Sequence, residues 1–277
     1  MTYQQGVQGP GGSVAIQRRS GVKIEGSVAL VTGGVSGLGF GAASRFVRGG
    51  GSVVMLDIDE AQAAAALDAL AGNARFIRCD VRDPQGVAAA VARAGEEWGR
   101  IDVLVNAAGV APAQRLISRD GELFDLDLFK FVIDVNLVGM FDVTRNVAAV
   151  MSRNDPGPDG ERGVIVNVAS IAAFEGQIGQ AAYSASKGGI VGMTLPLARD
   201  LAGIGVRCVT VAPGIMDTPL LAGAPEELKK SLASLHVFPR RLGTPDDFAH
   251  LVQAIVENPL LNGEVIRLDA GARMPPR

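Results

Sequence analysis

Three residues with the types and spacing for acid–base chemistry are Ser170, Tyr183 and Lys187. Tyr183 and Lys187 are separated by three residues at the beginning of a helical pattern, which puts both on one face of that helix. An unperturbed tyrosine has a pKa of about 10, and an ammonium about 4 Å away supplies about 4 kcal/mol, the order needed to bring that pKa toward neutrality. We therefore predict that Tyr183 exchanges a proton with an alcohol or carbonyl oxygen, which Ser170 holds.

Asn136 is a fourth candidate for this chemistry. It lies in the helix-like run DVNLVGMF, and its amide is expected to position a water that relays protons to Lys187. Taken singly, each of these residues has an ordinary structural explanation, such as a serine at a strand end or a solvated lysine. Their occurrence together with a cofactor-binding turn favours the catalytic interpretation.

That turn is glycine-rich and reads TGGVSGLG at 32–39, between a predicted strand and a predicted helix. Gly33 permits a sharp turn, Gly37 lets the backbone approach a pyrophosphate, and Gly39 lets the helix pack close to the strand. The N-terminus of the helix offers free N–H groups and a partial positive charge to phosphates. The turn therefore predicts a dinucleotide site.

Asp57 ends the second predicted strand and indicates which dinucleotide binds. Its carboxylate can accept hydrogen bonds from the ribose hydroxyls of the adenosine. A 2′-phosphate beside it would be repelled by about 1–4 kcal/mol, depending on the local dielectric. Neither the glycine-rich turn nor residues 58–60 supply a lysine or arginine. The sequence therefore predicts NAD and not NADP.

Apolar, β-branched runs that predict strands alternate with alanine-rich helical stretches along most of the chain. The predicted strands are 28–32, 52–57, 74–80, 102–108, 163–170, 206–213 and 263–269. Several are apolar almost throughout, as in parallel sheets that helices cover on both faces. This order predicts an α/β fold, a Rossmann-type doubly wound parallel sheet of about seven strands, in a single domain. We place the domain at 23–277 and interpret 1–22 as a flexible N-terminal tail.

The composition argues against several other classes of protein. The net charge is −3 and the pI about 5.5, so no basic surface for nucleic acid or an anionic membrane is expected. No run approaches the roughly 18 apolar residues of a membrane span. The two cysteines, Cys79 and Cys208, lie in strand-like runs, and His236 and His250 lie in unrelated settings, so no disulfide and no metal site is predicted. These features favour a soluble, cytoplasmic protein.

The motifs together resemble the short-chain dehydrogenase/reductase family. The matching residues are TGGVSGLG at 32–39, Asp57, Cys79-Asp80-Val81, Asn106-Ala107-Ala108-Gly109, Asn136, Ser170, Tyr183 with Lys187, and Pro213-Gly214. The resemblance implies a catalytic set of Asn136, Ser170, Tyr183 and Lys187. With the residues already discussed, it implies cofactor contacts at Gly33, Ser36, Gly37, Leu38, Gly39, Asp57, Asp80, Val81, Asn106, Ala107, Gly109, Tyr183, Lys187, Pro213, Met216 and Thr218. Asp80 and Val81 would contact the adenine, and Met216 and Thr218 would lie beside the nicotinamide.

The C-terminal half resembles a narrower group, the type II 3-hydroxyacyl-CoA dehydrogenases, also called the 17β-hydroxysteroid dehydrogenase type 10 group. The similar stretches are 161–202, 213–221, 238–243 and 258–274. This resemblance implies reversible oxidation of a (3S)-3-hydroxyacyl-CoA to the 3-oxoacyl-CoA with NAD, side activity on steroids or branched acyl-CoA alcohols, and a homotetramer. The order of Ala270 and Gly271 departs from the usual one, and 110–131 and 221–236, which should border the substrate, match less closely.

The substrate residues predicted are Ser170, Tyr183 and Gln177, the last because it follows Ser170 in the same loop. The coenzyme A phosphates would be expected to meet basic residues, for which Lys229, Lys230, Arg240 and Arg241 are candidates, although a solvated charged face explains them as well.

Two alternatives stay open at this point. One is a hydroxysteroid dehydrogenase or another secondary-alcohol dehydrogenase that uses the same site, since Asp57 argues only against an NADPH-driven reductase. The other is a scaffold protein that binds NAD without turnover. Replacement of Tyr183 by Phe would separate enzyme from scaffold, because only an enzyme would lose turnover and keep NAD binding.

Overall fold

The structure is a computed structural model that describes residues 21–221 and 223–276. Of the predicted N-terminal tail, 1–20 lie outside the described residues. Val22, however, already belongs to the folded domain: its N–H donates to the carboxylate of Glu161 at 2.9 Å, and its side chain packs against the core. The start of the domain is therefore at or before Val22, and not at residue 23.

A seven-stranded, all-parallel sheet forms the centre of the molecule, in the order β3-β2-β1-β4-β5-β6-β7. The strands are β1 (Val28–Thr32), β2 (Ser52–Asp57), β3 (Ala74–Arg78), β4 (Val103–Asn106), β5 (Gly163–Val168), β6 (Val206–Pro213) and β7 (Val265–Leu268). The predicted doubly wound fold, its single domain and its strand count are confirmed. The strand order changes direction at β1 and β4, the place where such sheets bind ligands.

The helices are α1 (Gly37–Arg48), α2 (Glu60–Leu70), α3 (Pro84–Trp98), α4 (Leu126–Ile133), α5 (Met140–Met151), α6 (Ala181–Ala202), α7 (Glu226–Ala233) and α8 (Pro245–Glu257). A π-helical segment, Asp134–Gly139, joins α4 to α5. Within the described part of the chain, no helix is both long and apolar enough to cross a membrane.

Alternate residues of the strands pack against helices on opposite faces of the sheet. On one face, Val31 and Val105 contribute to a cluster that includes Phe46 of α1 and Phe248 of α8. On the other, Leu104 belongs to a cluster with residues of α3, α5 and α6. Each large apolar side chain buried in this way contributes about 1.5–3 kcal/mol. The two apolar layers hold each strand in its position along the sheet, and they thereby fix where the strand ends lie.

Four strands are shorter than predicted, and the residues cut off matter for function. Residues 79–80, 107–108 and 169–170 lie beyond the strand ends at the carboxyl edge of the sheet, and only the first of each pair still donates a backbone hydrogen bond to the neighbouring strand. The N–H groups of Ala107 and Ala108 donate to the hydroxyl of Thr32 at 3.1 and 3.2 Å. The pattern of apolar residues could not show this, because these residues stay largely buried after the strand has ended.

Candidate active site

A cavity of about 840 Å³ opens at the carboxyl edge of the sheet. Its walls come from the glycine-rich turn, from the ends of β2 to β6, from α6 and, at the far C-terminus, from Met274. This volume is at the upper end of the range of about 300–1,000 Å³ that small-molecule sites occupy. Most of the residues predicted from the sequence lie in this one wall.

The glycine-rich turn has the backbone that was predicted for it. Gly33 and Gly37 have φ values of +63° and +52°, which side chains other than glycine rarely adopt. A Cβ on Gly33 would lie 2.9 Å from the Cα of Ala108, and one on Gly39 would overlap the carbonyl oxygen of Gly33. The turn therefore needs glycine for close packing at Gly33 and Gly39, whereas Gly37, with Ser36 and Leu38, faces the cavity at the N-terminus of α1.

Asp57 lies beside this turn. One carboxylate oxygen accepts from the N–H of Ile58 at 2.8 Å and of Asp59 at 3.2 Å, and the other accepts from the N–H of Val35 at 3.4 Å. The side chain lines the cavity and is half-buried. These backbone donors hold the carboxylate where an adenosine ribose would meet it.

Asp80 and Val81 also line the cavity, together with a cation that the sequence reading missed. Arg82 donates to both oxygens of Asp80, at 2.6 Å for the shortest pair, and its guanidinium lies 5.1 Å from the centre of the Phe131 ring. These hydrogen bonds hold the pKa of Asp80 below its usual value. A signal for it was present in the sequence, since Arg82 follows Asp80 by two residues.

Asn106 is not in the cavity wall, although a cofactor contact was predicted for it. It is buried behind the wall, where its Nδ2 donates to Thr144 Oγ1 and to Asn167 Oδ1, both at 2.9 Å. It thus connects β4 to β5 and α5. Its neighbours Ala107 and Gly109 do line the cavity. Because β4 ends at Asn106, its side chain still points into the sheet interior, and only the residues after it reach the edge.

Ser170, Tyr183 and Lys187 come together at the opposite end of the cavity. Ser170 lies two residues beyond the end of β5, and its side chain interacts with the phenol of Tyr183. Lys187 lies one helical turn after Tyr183 on α6, with Nζ 5.8 Å from the centre of the Tyr183 ring. The same Nζ donates to the carbonyl oxygen of Val168 at 2.8 Å. The last residue of β5 therefore fixes the ammonium beside the phenol.

The pKa of Tyr183 moves in the direction opposite to that predicted. Burial raises the pKa of Tyr183, and the hydrogen bond with Ser170 offsets this only in part. Burial also lowers the pKa of Lys187 to about 8, since the low-dielectric surroundings disfavour the ammonium. The prediction placed the ammonium about 4 Å from the phenol at an effective dielectric of about 20 and left out the cost of burying the two groups; in the structure both are surrounded by protein.

Asn136 lies in the π-helical segment, which the sequence pattern did not reveal. Its Oδ1 accepts from the N–H of Val110 at 2.8 Å, and its Nδ2 donates to the Val110 carbonyl at 2.9 Å and to Ser186 Oγ at 3.0 Å. A Cβ on Gly109 would lie 3.1 Å from Asn136 Oδ1 and 3.5 Å from Lys187 Nζ. Asn136 is thus close to Lys187 across Gly109, and it fixes the segment that follows β4.

Residues after β6 complete the cofactor side of the cavity. Pro213, Met216 and Thr218 all line it, and Met216 is buried. A Cβ on Gly37 would lie 3.6 Å from the Cβ of Thr218, so Thr218 lies against the glycine-rich turn.

Gln177 is not a cavity residue, contrary to prediction. Its Nε2 donates to the carbonyl of Pro275 at 3.1 Å, and its N–H donates to the side chain of Gln180 at 2.9 Å. Gln180 is the glutamine that lines the cavity. The loop after β5 contains a short 3₁₀ turn, Ile171–Ala173, and then turns toward the C-terminus, which spacing alone could not indicate.

The basic residues considered for coenzyme A form ion pairs outside this cavity wall. Lys229 pairs with Glu226 at 3.3 Å and Lys230 with Glu227 at 3.1 Å, both on α7. Arg241 binds the carboxylate of Asp247 at the start of α8. The interpretation as a solvated charged face therefore accounts for these three residues.

Comparison with known proteins gives one consistent result. A family model described as short chain dehydrogenase matches residues 27–229. The 3-hydroxyacyl-CoA dehydrogenase type-2 of Homo sapiens is 54% identical over 254 residues, which are 91% of this chain and 97% of that protein. The protein of the same name in Drosophila melanogaster is 49% identical, over 91% of this chain and 100% of that protein. A crystal structure of 3-hydroxyacyl-CoA dehydrogenase type-2 from Mycobacterium avium superposes with a TM-score of 0.86 at 41% identity, covering 91% of this chain and 98% of that one.

Proposed function

The chain belongs to the short-chain dehydrogenase family, and on that basis we propose that it catalyses the reversible, NAD-dependent oxidation of a 3-hydroxyacyl-CoA to a 3-oxoacyl-CoA. Family membership makes it an oxidoreductase that uses a nicotinamide cofactor and a small-molecule substrate. The identity of 49–54% to the human and fly dehydrogenases supports the choice of substrate. The observation that carries the chemistry is the position of Ser170 and Lys187 beside the Tyr183 phenol, at the wall of one cavity.

The residues of the cavity fit a dinucleotide. Gly37 has a backbone open to a pyrophosphate at the N-terminus of α1, and Asp57 presents a carboxylate where the ribose would lie. When bound, the nicotinamide supplies the hydride acceptor for oxidation and the hydride donor for reduction. It also brings a positive charge in its oxidised form, which favours the phenolate of Tyr183 against the effect of burial.

Each catalytic side chain has one part in the proton transfer. In the oxidation, the substrate hydroxyl gives its proton to the Tyr183 phenolate as the hydride leaves the same carbon; in the reduction, the Tyr183 phenol returns the proton to the carbonyl oxygen. Ser170 donates a hydrogen bond to that oxygen and keeps it next to the phenol. Lys187 stabilises the phenolate, and Asn136 holds the segment at Gly109 that lies beside Lys187.

Asp57 supports NAD as the cofactor. Its charge would repel a 2′-phosphate by about 1–4 kcal/mol. Arg82 does not offset this repulsion, because its Nε and Nη2 already donate hydrogen bonds to the carboxylate of Asp80. Among the residues that line this end of the cavity, Arg82 is the cation, and it is paired with Asp80.

A homotetramer is part of the proposal. Val138, Phe141 and Leu195, on the π-helical segment, α5 and α6, are 53%, 43% and 46% exposed. Apolar side chains of this size on neighbouring helices suit contact with other copies of the chain. Light scattering of the purified protein should give four times the chain mass of 28.6 kDa; a monomeric mass would contradict the proposal.

The decisive experiment follows NADH absorbance with acetoacetyl-CoA, and repeats the assay with NADPH in place of NADH. We expect fast reduction with NADH and much slower reduction with NADPH. A steroid 17-ketone with NADH is assayed in parallel. Activity on the steroid alone would replace the acyl-CoA assignment by hydroxysteroid dehydrogenase, and binding of NADH without turnover of either substrate would contradict both.

A further inference from the structure

The C-terminal residues 270–276, here called the C-terminal strap, fold back over the loop between Ser170 and Tyr183. The N–H of Ile178 donates to the carbonyl of Pro276 and Nε2 of Gln177 donates to the carbonyl of Pro275, both at 3.1 Å. The N–H of Met274 donates to the carboxylate of Glu175 at 3.3 Å. The end of the chain is therefore attached to the segment that separates the two catalytic residues.

An arginine at the end of β7 fixes the beginning of the strap. Arg267 donates to both carboxylate oxygens of Glu175, at 2.7 and 3.0 Å, and to Asp269 at 2.7 Å. It also donates to the carbonyl of Ala272 at 3.1 Å, and its guanidinium lies 5.2 Å from the centre of the Phe174 ring. Paired, charge-assisted contacts of this kind are among the stronger hydrogen bonds in proteins. Arg267 thus connects β7, the catalytic loop and the strap.

The strap places one apolar side chain in the wall of the cavity. Met274 is half-buried and lines the same cavity as Ser170, Gln180 and Tyr183. The bonds of Ile178 and Glu175 to the strap put Met274 at the catalytic end, away from Asp57 and the glycine-rich turn. Its thioether is flexible and has no group that could bind a phosphate or an amide, which suits contact with a hydrocarbon chain.

We propose that Met274 determines substrate specificity by contacting the alkyl chain beyond the reacting carbon and limiting its length. The proposal rests on the proposed function, in that it assigns one arm of the acyl-CoA substrate to the strap. The strap is held mainly by backbone atoms and by Arg267, so shortening the Met274 side chain leaves its attachment unchanged.

The test compares Met274→Ala with wild type in the reduction of 3-oxoacyl-CoA substrates of 4, 8 and 12 carbons by NADH. We expect the ratio of kcat/KM for the 12-carbon substrate to that for the 4-carbon substrate to rise about tenfold. The change should appear mainly in KM of the long substrate, with KM for NADH within about twofold of wild type. Pro276→Ala is the matched control, since it removes an exposed side chain of the same strap and keeps the carbonyl that binds Ile178.

The outcomes separate this proposal from the proposed function. An unchanged ratio in Met274→Ala, or an equal change in Pro276→Ala, overturns the role of Met274 while acyl-CoA reduction stands. Wild-type protein that reduces no 3-oxoacyl-CoA overturns the proposed function. In that case kcat/KM is measured for 2-butanone and 2-nonanone, and the ratio of the long to the short ketone is expected to rise in Met274→Ala. If wild type reduces neither the 3-oxoacyl-CoA substrates nor these ketones, both proposals are overturned.

Discussion

The two ends of the cavity are built in different ways. At the cofactor end, the segments at the ends of β1 and β2 are held by their own backbone: Gly33 and Gly37 by positive φ values, Asp57 by the adjacent N–H groups. The substrate end joins segments that are distant in the sequence. There the N–H of Gln114 donates to the carbonyl of Gly179 at 2.9 Å, and the strap binds Glu175 and Ile178.

This difference determines what each end can tolerate. Local backbone geometry depends on a few glycines and one carboxylate, so the cofactor end is sensitive to single residues within it. The substrate end depends on contacts between segments, so its shape can change through residues far from the reacting atoms. Tyr183 and Lys187 carry the proton transfer at the substrate end, and substitutions there should be the most damaging.

Replacement of Tyr183 by Phe should have the largest effect. The loss of the acid and base is expected to lower kcat by about 10²–10⁴-fold, while NADH binding, followed by cofactor fluorescence, stays near wild type. Tyr3→Phe changes the only other tyrosine of the chain and should leave kcat unchanged. A Tyr183→Phe enzyme with more than about a tenth of wild-type kcat would show that another group transfers the proton.

Lys187 should combine a loss of activity with a gain in stability. Its pKa falls from 10.5 to about 8 on burial, so at Lys187 the unfolded chain binds more protons between these values, and the contribution of Lys187 to the free energy of unfolding should rise with pH there. Burial raises the pKa of the Cys79 and Cys208 thiols from 9.0, which acts in the opposite direction above that pH, so the contribution of Lys187 is measured as the difference between wild type and Lys187→Met. At pH 7, Lys187→Met removes a burial penalty of about 3 kcal/mol and a hydrogen bond to Val168 of about 1 kcal/mol. We expect a net gain of about 2 kcal/mol in chemical denaturation, with kcat strongly reduced.

Lys230→Met is the control for this measurement, because Lys230 is on the surface and pairs with Glu227. Its unfolding curve should follow wild type at every pH. If Lys187→Met is less stable than wild type at pH 7, and if the difference in free energy of unfolding between the two proteins is constant between pH 8 and 10.5, the lowered pKa of Lys187 is contradicted.

Asp57→Asn tests the cofactor end. Removing the charge should shift the preference for NADH over NADPH by about tenfold or more, because the repulsion of a 2′-phosphate is lost. The matched variant is Asp59→Asn, since this carboxylate lies two residues further on and caps α2 through Gln62. Steady-state kcat/KM with both cofactors gives the answer; an equal shift in both variants would mean that net charge, and not the position of Asp57, sets the preference.

The sequence was sufficient for most of the cofactor end, apart from Asn106 and Arg82, and for the positions of Ser170, Tyr183 and Lys187. The glycine spacing at 33, 37 and 39 and the carboxylate of Asp57 are local features, and the structure places them in one wall of the cavity. The parallel sheet was predicted from the alternation of apolar strand patterns with helical patterns, and each of these patterns is a local feature of the sequence. The strand count and the doubly wound topology could therefore be predicted before any contact was known.

The sequence was insufficient where side chains from distant segments meet. Gln177 and Gln180 are equally polar and three residues apart, so the sequence does not distinguish them. In the structure Gln177 binds the carbonyl of Pro275, and Gln180 lines the cavity. Likewise, nothing in the periodicity of the helix around Asn136 indicates a π-helical segment. The burial that raises the pKa of Tyr183 depends on the assembled fold, and so the direction of that pKa could not be obtained from spacing.

Glu175→Gln tests the substrate end with a smaller effect. Arg267 keeps its hydrogen bond to Asp269, but its charge loses a paired carboxylate, so the strap should be held less firmly. We expect KM for acetoacetyl-CoA to rise about threefold, from a loss of about 0.7 kcal/mol, with KM for NADH unchanged. Glu227→Gln removes an exposed carboxylate paired with Lys230 and should change neither constant. An equal rise in both KM values for Glu175→Gln would mean that the two ends are not independent.

The smallest effect is expected from the backbone at Ala270, where the strap begins. Ala270 has φ +48°, in the left-handed region that favours glycine, and so does Ala71 at the end of α2, outside the cavity wall. Glycine relieves a strain of about 1–2 kcal/mol and costs about 0.5–1 kcal/mol in entropy of the unfolded chain. Ala270→Gly and Ala71→Gly should therefore each raise Tm by about 1–2 °C in a thermal denaturation scan.

These two variants separate strain from function, because the backbone change is the same in both. If the strap only needs its hydrogen bonds to Glu175 and Ile178, both variants should keep the wild-type ratio of kcat/KM between long and short 3-oxoacyl-CoA substrates. A changed ratio in Ala270→Gly alone would mean that the strained alanine helps to hold Met274 in the cavity wall. The substrate end would then depend on a local backbone conformation, as the cofactor end does, and the contrast between the two ends would fail.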